Sequence, residues 1–362
     1  MNQRTYIFFG AGGVGKTTSA AAFAVALAQR GSRTLVITTD PARRLADVLD
    51  VASTTSIAAV PSVPRLDYYM PNAATNTREV VNEMLAGSPE VASALQLNPI
   101  FELLCSGLAG VHELMILASL GSRTAGYDAV VIDTAPSEHA IDLLSLPARI
   151  ATLIDSRALA WLSKLAPAKP EPKRGLSMRI LDWGQQRLLS QFENVLGGPA
   201  VAQCLEVLRA VMLVRPQLST AIATAKAMLT GAHTDYLVVL APRHGADRQA
   251  QRFTDELAAI AKPPTTFMLN NVPTTPAWIS ELDALVTLAA PLRSAIDLAI
   301  AEASTAQDAV LRATKAINKM APQARVMSVP AMTLTTPTAV VHAIAARLAP
   351  LLPDDVAYVA NG

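Results

Sequence analysis

Short runs of aliphatic and aromatic residues alternate along the chain with longer stretches in which apolar positions recur at helical spacing. Uninterrupted apolar runs of this kind are typical of strands that are buried on both faces of a parallel sheet. The predicted strands are residues 6–9, 34–40, 66–70, 127–136, 236–242, 266–272 and 325–330. Residues 19–29, 247–261, 278–320 and 337–349 are predicted to be helical. Residues 77–122 are predicted to be helical with breaks near 87–89 and 98–99, residues 138–234 mostly helical, and residues 52–65 a surface loop.

The alternation of strands with helices predicts βαβ units with right-handed crossovers. The predicted fold class is therefore α/β, with a mostly parallel sheet flanked by helices. Residues 138–234 are mostly helical and are interpreted as a helical insertion subdomain. The insertion lies within a single predicted domain that spans residues 1–362.

The first predicted strand leads into a glycine-rich segment, residues 10–18, with the sequence GAGGVGKTT. This segment satisfies the phosphate-binding loop pattern G-x4-G-K-[ST], in which backbone N–H groups surround an anion at the start of a helix. In that pattern Lys16 reaches the β- and γ-phosphates, and the hydroxyl of Thr17 is an oxygen ligand suited to Mg²⁺. The predicted nucleotide-binding residues of the loop are Gly12, Gly13, Val14, Gly15, Lys16, Thr17 and Thr18.

The same segment also fits the dinucleotide pattern G-x-G-x-x-G through Gly10, Gly12 and Gly15, and Asp40 ends the next predicted strand as that alternative requires. The pair Lys16-Thr17 favours a nucleoside triphosphate, because a nicotinamide cofactor has no terminal phosphate for the pair to hold. A glycine-rich turn without any ligand is the purely structural alternative.

A second acidic residue, Asp133, ends the aliphatic run of the strand predicted over 127–136. Ligands of open α/β sheets bind at the carboxyl ends of the strands. There, a second carboxylate can reach Mg²⁺ or its water molecules. An Asp at a strand end is common, so by itself it is a weak sign of a metal site. The presence of the phosphate-binding loop strengthens the assignment of Asp133 to such a site.

The composition argues against several classes of protein. Hydrophobic residues make up 51% of the 362 residues, and the net charge of +1 gives no sign of a nucleic-acid partner. The only cysteines, Cys105 and Cys204, are too far apart in sequence for a C-x-x-C metal site, and they indicate a reducing compartment. With no apolar run of membrane-spanning length and a first strand that begins near Met1, we expect a soluble, cytoplasmic protein without a signal peptide.

Within the predicted insertion, a segment rich in Pro and Lys, residues 166–175, is incompatible with a regular helix. It is either a solvated linker or a mobile element over a binding surface. Large apolar residues lie at helical spacing on both sides of it. Residues 160–230 therefore form either a core or, in part, a surface for a hydrophobic partner.

Three motifs together carry a resemblance to a known family: the loop 10–18, the sequence DPA at 40–42 and the sequence DTAP at 133–136. The chain resembles the ATPases of the arsenical-pump and tail-anchored-protein-targeting group, within the deviant Walker A class of P-loop proteins. The resemblance implies a P-loop NTPase fold and the cofactors ATP and Mg²⁺. It extends over nearly the whole chain, including the helical insertion.

The resemblance also implies roles for residues near the phosphates. Asp40 corresponds to the residue that positions the attacking water and, with Lys16, forms the predicted catalytic set. Asp133 corresponds to the residue near Mg²⁺, so that Thr17 and Asp133 are the predicted metal-site residues. Pro136 and His139 fall in the moving switch loop, where Glu138 replaces the glycine of the family.

Two further residues correspond to the adenine-binding part of the family. Asn270 lies in the sequence LNN at 269–271, which matches a family strand that ends in Val-Asn-Gln and contacts adenine. Pro330 corresponds to the start of a later adenine loop, although the acidic and glycine positions beyond it are not recognisable.

The chain departs from the family at three points. The loop of the family usually carries an early lysine that reaches the phosphates of a partner subunit, and here that position is Ala11. Because trans-acting cations of this kind contribute about 10³–10⁵ in rate, we expect a homodimer of this chain to hydrolyse ATP slowly unless another cation substitutes. There is neither a C-x-x-C pair for a bridging zinc nor a cysteine cluster for arsenite. The substituted loop and the basic residues after the DPA motif, Arg43 and Arg44, resemble a bacterial subgroup of the family whose members occur as paired subunits.

Two functional hypotheses follow. The first is an ATP-hydrolysing dimeric switch that acts on a hydrophobic client or a membrane-associated partner. The alternative is a regulatory ATP-binding subunit of a heterodimer with a second family member, with little ATPase activity of its own. In both hypotheses ATP and Mg²⁺ are bound, and neither nucleic acid nor arsenite is a ligand.

Overall fold

The fold is that of a computed structural model of the chain. The structure describes residues 3–40, 44–107, 111–135, 142–154, 198–243, 245–273, 290–332 and 334–352. Several predicted features lie outside these residues: Pro136, His139, the segment 166–175 and residues 278–289 of a predicted helix.

One eight-stranded sheet is the centre of the described structure, with the strand order β3-β4-β2-β5-β1-β6-β7-β8. Every neighbouring pair is parallel except β3 and β4, which are antiparallel. The strands are β1 (Arg4–Gly10), β2 (Thr34–Thr38), β3 (Ala58–Ala59), β4 (Leu66–Tyr69), β5 (Ala129–Asp133), β6 (Thr234–Leu240), β7 (Thr266–Val272) and β8 (Arg325–Pro330). The predicted α/β fold class with a mostly parallel sheet is confirmed, and the loop predicted over 52–65 contains the short strand β3.

The helices of the described residues largely follow the predicted segments. They are α1 (Lys16–Gln29), α2 (Arg44–Leu49), α3 (Ala73–Met84), α4 (Pro89–Gln96), α5 (Pro99–Gly107), α6 (Val111–Arg123), α7 (Asp142–Ile154), α8 (Gly198–Thr230), α9 (Ala246–Ile260), α10 (Ala290–Met320) and α11 (Pro337–Leu348). No single described helix has the length and hydropathy of a bilayer span, and one bent pair, Pro99–Ser106 with Val111–Arg123, meets that test only when its two helices are joined.

The chain divides into two compact units, each with contributions from separate parts of the sequence. The α/β unit comprises residues 1–70, 124–144 and 228–362, and it contains the whole sheet. The helical unit comprises residues 71–123 and 145–227. The predicted insertion, 138–234, overlaps the second of these helical segments, and residues 71–123 were not predicted to belong with it.

In the α/β unit, helix α1 packs against the sheet. The helix can approach the strands closely because it is rich in alanine. Its only aromatic residue, Phe23, packs edge-to-face on Tyr6 and Phe8, with ring centroids 4.8 Å and 5.5 Å away. Helix α11 packs on α1, while α9 and α10 pack together and contact β6 and β7, respectively. Strand β1 is buried along most of its length, and its end leads directly into the glycine-rich loop.

In the helical unit, buried polar side chains stabilise the turns and helix ends. The Oδ1 atom of Asn98 accepts hydrogen bonds from the backbone N–H groups of Ile100 and Phe101 at the start of α5, at 2.9 and 3.2 Å. Its Nδ2 atom donates to the carbonyl of Gln203 and to the carboxylate of Glu206, both at 3.0 Å. Asn98 thus caps α5 and connects it to α8.

Candidate nucleotide-binding site

Three adjacent strands bring the predicted phosphate-site residues to one edge of the sheet. Strand β5 lies between β1 and β2, and Asp133 is in register with both Phe8 and Thr38. Because the three strands are parallel, the loop after β1, Asp40 after β2 and Asp133 at the end of β5 all lie at their carboxyl ends. This edge is where ligands of open α/β sheets bind.

The loop between β1 and α1 depends on glycine at two positions. Gly13 and Gly15 have φ angles of +76° and +84°, a region that residues with a side chain rarely adopt. At Gly15 a Cβ atom would also lie 2.2 Å from Nδ2 of Asn270. That amide donates a hydrogen bond of 2.9 Å to the carbonyl of Val14, so β7 fixes the loop from behind.

A cavity of about 300 Å³ opens beside this loop. It lies within the α/β unit and is lined by Ala11, Gly13, Gly15, Lys16, Thr17, Thr18, Arg44, Asp47 and Val48. Most of the predicted loop residues therefore line one space, together with three residues of α2. Arg44, Asp47 and Val48 were not predicted as site residues, and their only sequence signal is their position just after the DPA motif.

Lys16 is the first residue of α1 and is almost entirely buried. Burial lowers the pKa of its ammonium group, the nearby carboxylates of Asp133 and Asp40 oppose that effect, and the positive charge of Arg44 adds to it. A buried cation at the first turn of a helix that follows a glycine loop is suited to hold an anionic oxygen, because little water competes for its protons.

Asp133 is fully buried, and its two carboxylate oxygens differ. Thr38 donates a hydrogen bond of 3.2 Å to Oδ2, whereas Oδ1 has no hydrogen-bond partner among the described residues. Burial raises the pKa of Asp133 to about 6, although Lys16 and the hydroxyls of Thr17 and Thr38 favour the ionised form. A buried carboxylate oxygen without a donor is costly unless a cation or an ordered water completes it.

These atoms fit the chemistry of a magnesium site. Mg²⁺ prefers oxygen ligands, usually keeps several waters and is often bound through one or two protein oxygens plus substrate phosphates. Thr17 and Asp133 supply such oxygens. Among the described residues no group of three or more His, Cys, Asp or Glu side chains is placed to hold a metal ion. A cation here would therefore depend on the nucleotide for part of its ligand shell.

Hydroxyl groups tie the three strand ends together. Thr134 donates a hydrogen bond of 2.6 Å to the carbonyl of Phe8, and Thr39 accepts one of 3.0 Å from the backbone N–H of Ala135. The N–H of Thr39 donates to the carbonyl of Asp133 at 2.9 Å. The roles of Thr38 and Thr39 were not predicted, and their one signal in the sequence is that they immediately precede Asp40.

Asp40 lies at the end of this network. Its backbone N–H donates a hydrogen bond of 3.1 Å to the Thr38 hydroxyl, which positions the start of the loop after β2. Its side chain is 9% exposed and forms an ion pair with Arg44, with 3.9 Å between Oδ2 and Nη1. Asp40 is near enough to Lys16 to influence its pKa.

The two residues predicted to contact adenine lie elsewhere on the sheet. Asn270 is buried in β7 and is engaged with the carbonyl of Val14. Pro330 ends β8, the edge strand, where it is paired with Val272. Neither residue lines the cavity beside the loop. Their contact with adenine stays a prediction, as do the switch roles of Pro136 and His139 outside the described residues.

A glycine loop between a strand and a helix, a buried lysine at the helix start and a buried aspartate on the adjacent strand define a P-loop nucleotide-binding protein. Residues 3–178 match the family model described as ArsA_ATPase, anion-transporting ATPase. Over these residues, just under half of its length, the chain is similar to the ATPases of that family.

Similar proteins include two that are named arsenical pump-driving ATPases and one that is named ATPase GET3A. The chain is 32% identical over 161 residues to the arsenical pump-driving ATPase of Acidiphilium multivorum, covering 43% of this chain and 27% of that protein. It is 33% identical over 160 residues to the arsenical pump-driving ATPase of Escherichia coli, with the same coverage. It is 28% identical over 188 residues to ATPase GET3A of Arabidopsis thaliana, covering 51% of this chain and 50% of that protein. The chain thus spans between about a quarter and half of the length of these relatives.

Proposed function

We propose that this chain binds Mg-ATP in the cavity beside the loop after β1 and hydrolyses it. The observation that carries the proposal is the pairing of a buried lysine, Lys16, with a buried aspartate whose Oδ1 atom has no hydrogen-bond partner among the described residues. The first is suited to the terminal phosphates of a nucleotide, and the second is suited to a cation that accompanies them. The match of residues 3–178 to the family model of anion-transporting ATPases supports the same reaction.

In the proposed reaction the side chains bind and orient rather than form covalent bonds. The backbone N–H groups of the loop and the ammonium group of Lys16 bind the phosphate oxygens and stabilise the charge that develops on them. Asp40 accepts a hydrogen bond from the attacking water and orients it toward the terminal phosphorus. Bound Mg²⁺ would be held by Thr17 and Asp133, and it would supply charge neutralisation between the phosphates.

The experiment compares nucleotide affinity, measured by titration calorimetry, and ATPase rate for the wild-type chain, Lys16→Ala and Lys315→Ala. Lys315 is an exposed lysine of α10 and serves as the control for the loss of one positive charge. We expect Lys16→Ala to weaken ATP binding by about 100-fold or more, because charge-assisted hydrogen bonds in a buried setting are lost. A Lys16→Ala protein with wild-type affinity and rate would refute the proposal.

The alternative, a regulatory subunit with little ATPase activity of its own, is favoured by one observation. Ala11 lines the cavity and presents a methyl group at the position where the resemblance places a lysine. The test is the ATPase rate of the chain alone, of Ala11→Lys and of a mixture with a second family member from the same organism. A higher rate in the second and third samples supports the regulatory role, and equal rates in all three argue against it.

We further propose, on the resemblance described above, that nucleotide binding drives a dimeric switch that handles a hydrophobic client. Leu97 and Leu103, which are 88% and 62% exposed in the helical unit, are consistent with such a surface. The test is binding of a hydrophobic peptide, with and without ATP, to the wild-type chain and to the double variant Leu97→Ser/Leu103→Ser. Equal binding by both proteins would reject these leucines as part of a client site.

A further inference from the structure

The cavity beside the glycine loop has a second cation that the family motif does not explain. Arg44 is the first residue of α2, and it lines the cavity together with Ala11 and Lys16. Among the described residues that line this cavity, only Lys16 and Arg44 carry a positive charge. Lys16 is buried, whereas the side chain of Arg44 is 58% exposed at the solvent side of the site.

The present partner of Arg44 holds it weakly. The distance of 3.9 Å between Arg44 Nη1 and Asp40 Oδ2 is longer than a hydrogen bond. The side chain of Arg44 is itself more than half exposed, so water solvates the guanidinium group and weakens its attraction to the carboxylate. The guanidinium group can therefore exchange the carboxylate for a stronger anionic ligand with little loss.

The charges around the cavity leave a need for such a cation. The positive charge of Lys16 is offset by the nearby carboxylates of Asp133 and Asp40, and Asp47 adds a further carboxylate to the cavity wall. A nucleoside triphosphate brings one more phosphoryl group than a diphosphate. The exposed guanidinium can share the neutralisation of this added charge with bound Mg²⁺, since it forms paired hydrogen bonds with phosphate oxygens.

We propose that Arg44 binds the terminal phosphate of the nucleotide and so makes the site prefer a nucleoside triphosphate over a diphosphate. This inference rests on the proposed ATP-binding function of the same cavity. It assigns to a residue of the same chain, in cis, a positive charge that Ala11 does not provide. When Arg44 binds the phosphate, its ion pair with Asp40 breaks. The Asp40 carboxylate, which is proposed to orient water, is therefore released from Arg44 only when the terminal phosphate is present.

The experiment measures the dissociation constants of Mg-ADP and of a magnesium complex of a non-hydrolysable ATP analogue, by titration calorimetry on the full chain. The variants are Arg44→Ala, Arg44→Lys and the matched control Arg293→Ala. Arg293 forms an ion pair of similar length with Asp297, also four residues away, with 3.8 Å between Nε and Oδ1. It lies in α10 and does not line the cavity.

We expect Arg44→Ala to weaken binding of the triphosphate analogue by about tenfold, as for the loss of a charge-assisted hydrogen bond. The affinity for Mg-ADP should change by less than about twofold, because the lost contact is to the terminal phosphate. Arg44→Lys should recover part of the preference, and Arg293→Ala should match the wild-type chain. Equal weakening of both ligands in Arg44→Ala, or no change in either, would overturn the inference.

The outcomes separate this inference from the proposed function. If the wild-type chain binds neither nucleotide, both are wrong. If the wild-type chain binds both nucleotides and Lys16→Ala abolishes binding, but Arg44→Ala keeps the wild-type ratio of affinities, only the role of Arg44 is wrong. Because Arg44 is exposed, its substitution should leave the thermal unfolding midpoint unchanged, which confirms that the variant is folded.

Discussion

Asn98 in the helical unit and Asp133 in the α/β unit are both buried polar residues, but their hydrogen bonding differs. Asn98 uses both of its polar atoms, with two acceptor and two donor contacts to backbone and side-chain groups. Asp133 uses Oδ2 and leaves Oδ1 without a hydrogen-bond partner among the described residues. The first arrangement stabilises a fold, whereas the second costs free energy unless a ligand completes it.

This difference separates structural from functional polar residues more clearly than burial does. Both side chains are nearly inaccessible to solvent, so exposure does not distinguish them. What distinguishes them is whether the folded chain supplies every partner. On this criterion Asn270 resembles Asn98, because its amide donates to the carbonyl of Val14 within the chain.

The largest effect is expected for Gly15→Ala, which tests whether the Asn270 amide has a structural role like that of Asn98. Gly13→Ala is the control. Both glycines have positive φ angles, so alanine is strained at either position by about 1–2 kcal/mol. Only at Gly15 does the new Cβ atom meet Nδ2 of Asn270, at 2.2 Å, while no atom lies within 4 Å at Gly13. We expect Gly15→Ala to lower the free energy of unfolding by about 3–4 kcal/mol in total, measured by urea denaturation.

The double variant Gly15→Ala/Asn270→Ala isolates the contact. If the amide is what the new methyl group meets, the double variant should recover part of the stability lost in Gly15→Ala. Strictly additive losses in the two substitutions would show that the methyl group at position 15 does not meet the Asn270 amide.

The second test is Asn98→Ala, with Asn82→Ala as a control. Asn98 is a buried helix cap, so its loss should cost about 2 kcal/mol in the free energy of unfolding. Asn82 is an exposed asparagine of α3 whose side chain accepts a hydrogen bond from Gln96, and its replacement should cost well under 1 kcal/mol. Neither variant should change ATP affinity. A loss of affinity in Asn98→Ala would mean that the helical unit contributes to the site.

The third test uses pH, because the two units should respond to acid with opposite signs. In the helical unit, burial lowers the pKa of His112 below its usual value near 6.5 despite the opposing charge of Glu113. Its contribution to stability is therefore present above pH 6.5 and is lost as the pH falls below that value. In the α/β unit, the raised pKa of Asp133, about 6 against an ordinary value of 3.8, means that acid adds stability.

For Asp133 the gain in the free energy of unfolding begins as the pH falls through about 6 and is complete below about 4. A pKa shift of this size corresponds to a gain of about 3 kcal/mol. Urea denaturation of the ligand-free chain between pH 7 and pH 4 measures the sum of both effects. Relative to the wild-type chain, His112→Gln should remove a loss in the free energy of unfolding on acidification. Asp133→Asn should remove a gain in the same quantity. The same pH response in Asp133→Asn and in the wild-type chain would contradict the raised pKa.

The sheet could be predicted from sequence because its strands are continuous apolar runs that need no knowledge of their neighbours. Residues 6–9, 129–133 and 236–240, for example, are nearly all aliphatic or aromatic and lie in β1, β5 and β6. Strand β3 has only two alanines, and it exists because it pairs with β4. Such a pairing leaves no pattern in the strand itself.

The phosphate loop could also be predicted, since its glycine spacing reflects local backbone geometry. The contacts that complete the site could not, because they join distant parts of the chain. Thr38 and Asp133 are 95 positions apart, and Asn270 and Val14 are 256 positions apart. The place of Arg44 in the cavity wall could not be predicted either, because nothing local in the sequence indicates that its side chain lines the cavity.

The measurement that tests the account most directly is the Mg²⁺ dependence of ATP affinity in the wild-type chain and in Asp133→Asn. ATP binding is measured by titration calorimetry with Mg²⁺ and again after the metal is removed with a chelator. We predict that Mg²⁺ strengthens binding to the wild-type chain, that Asp133→Asn loses about 10–100-fold of this gain, and that the variant is at least as stable as the wild-type chain at pH 7. An undiminished effect of Mg²⁺ in a folded Asp133→Asn protein would contradict the assignment of Asp133 to the metal site.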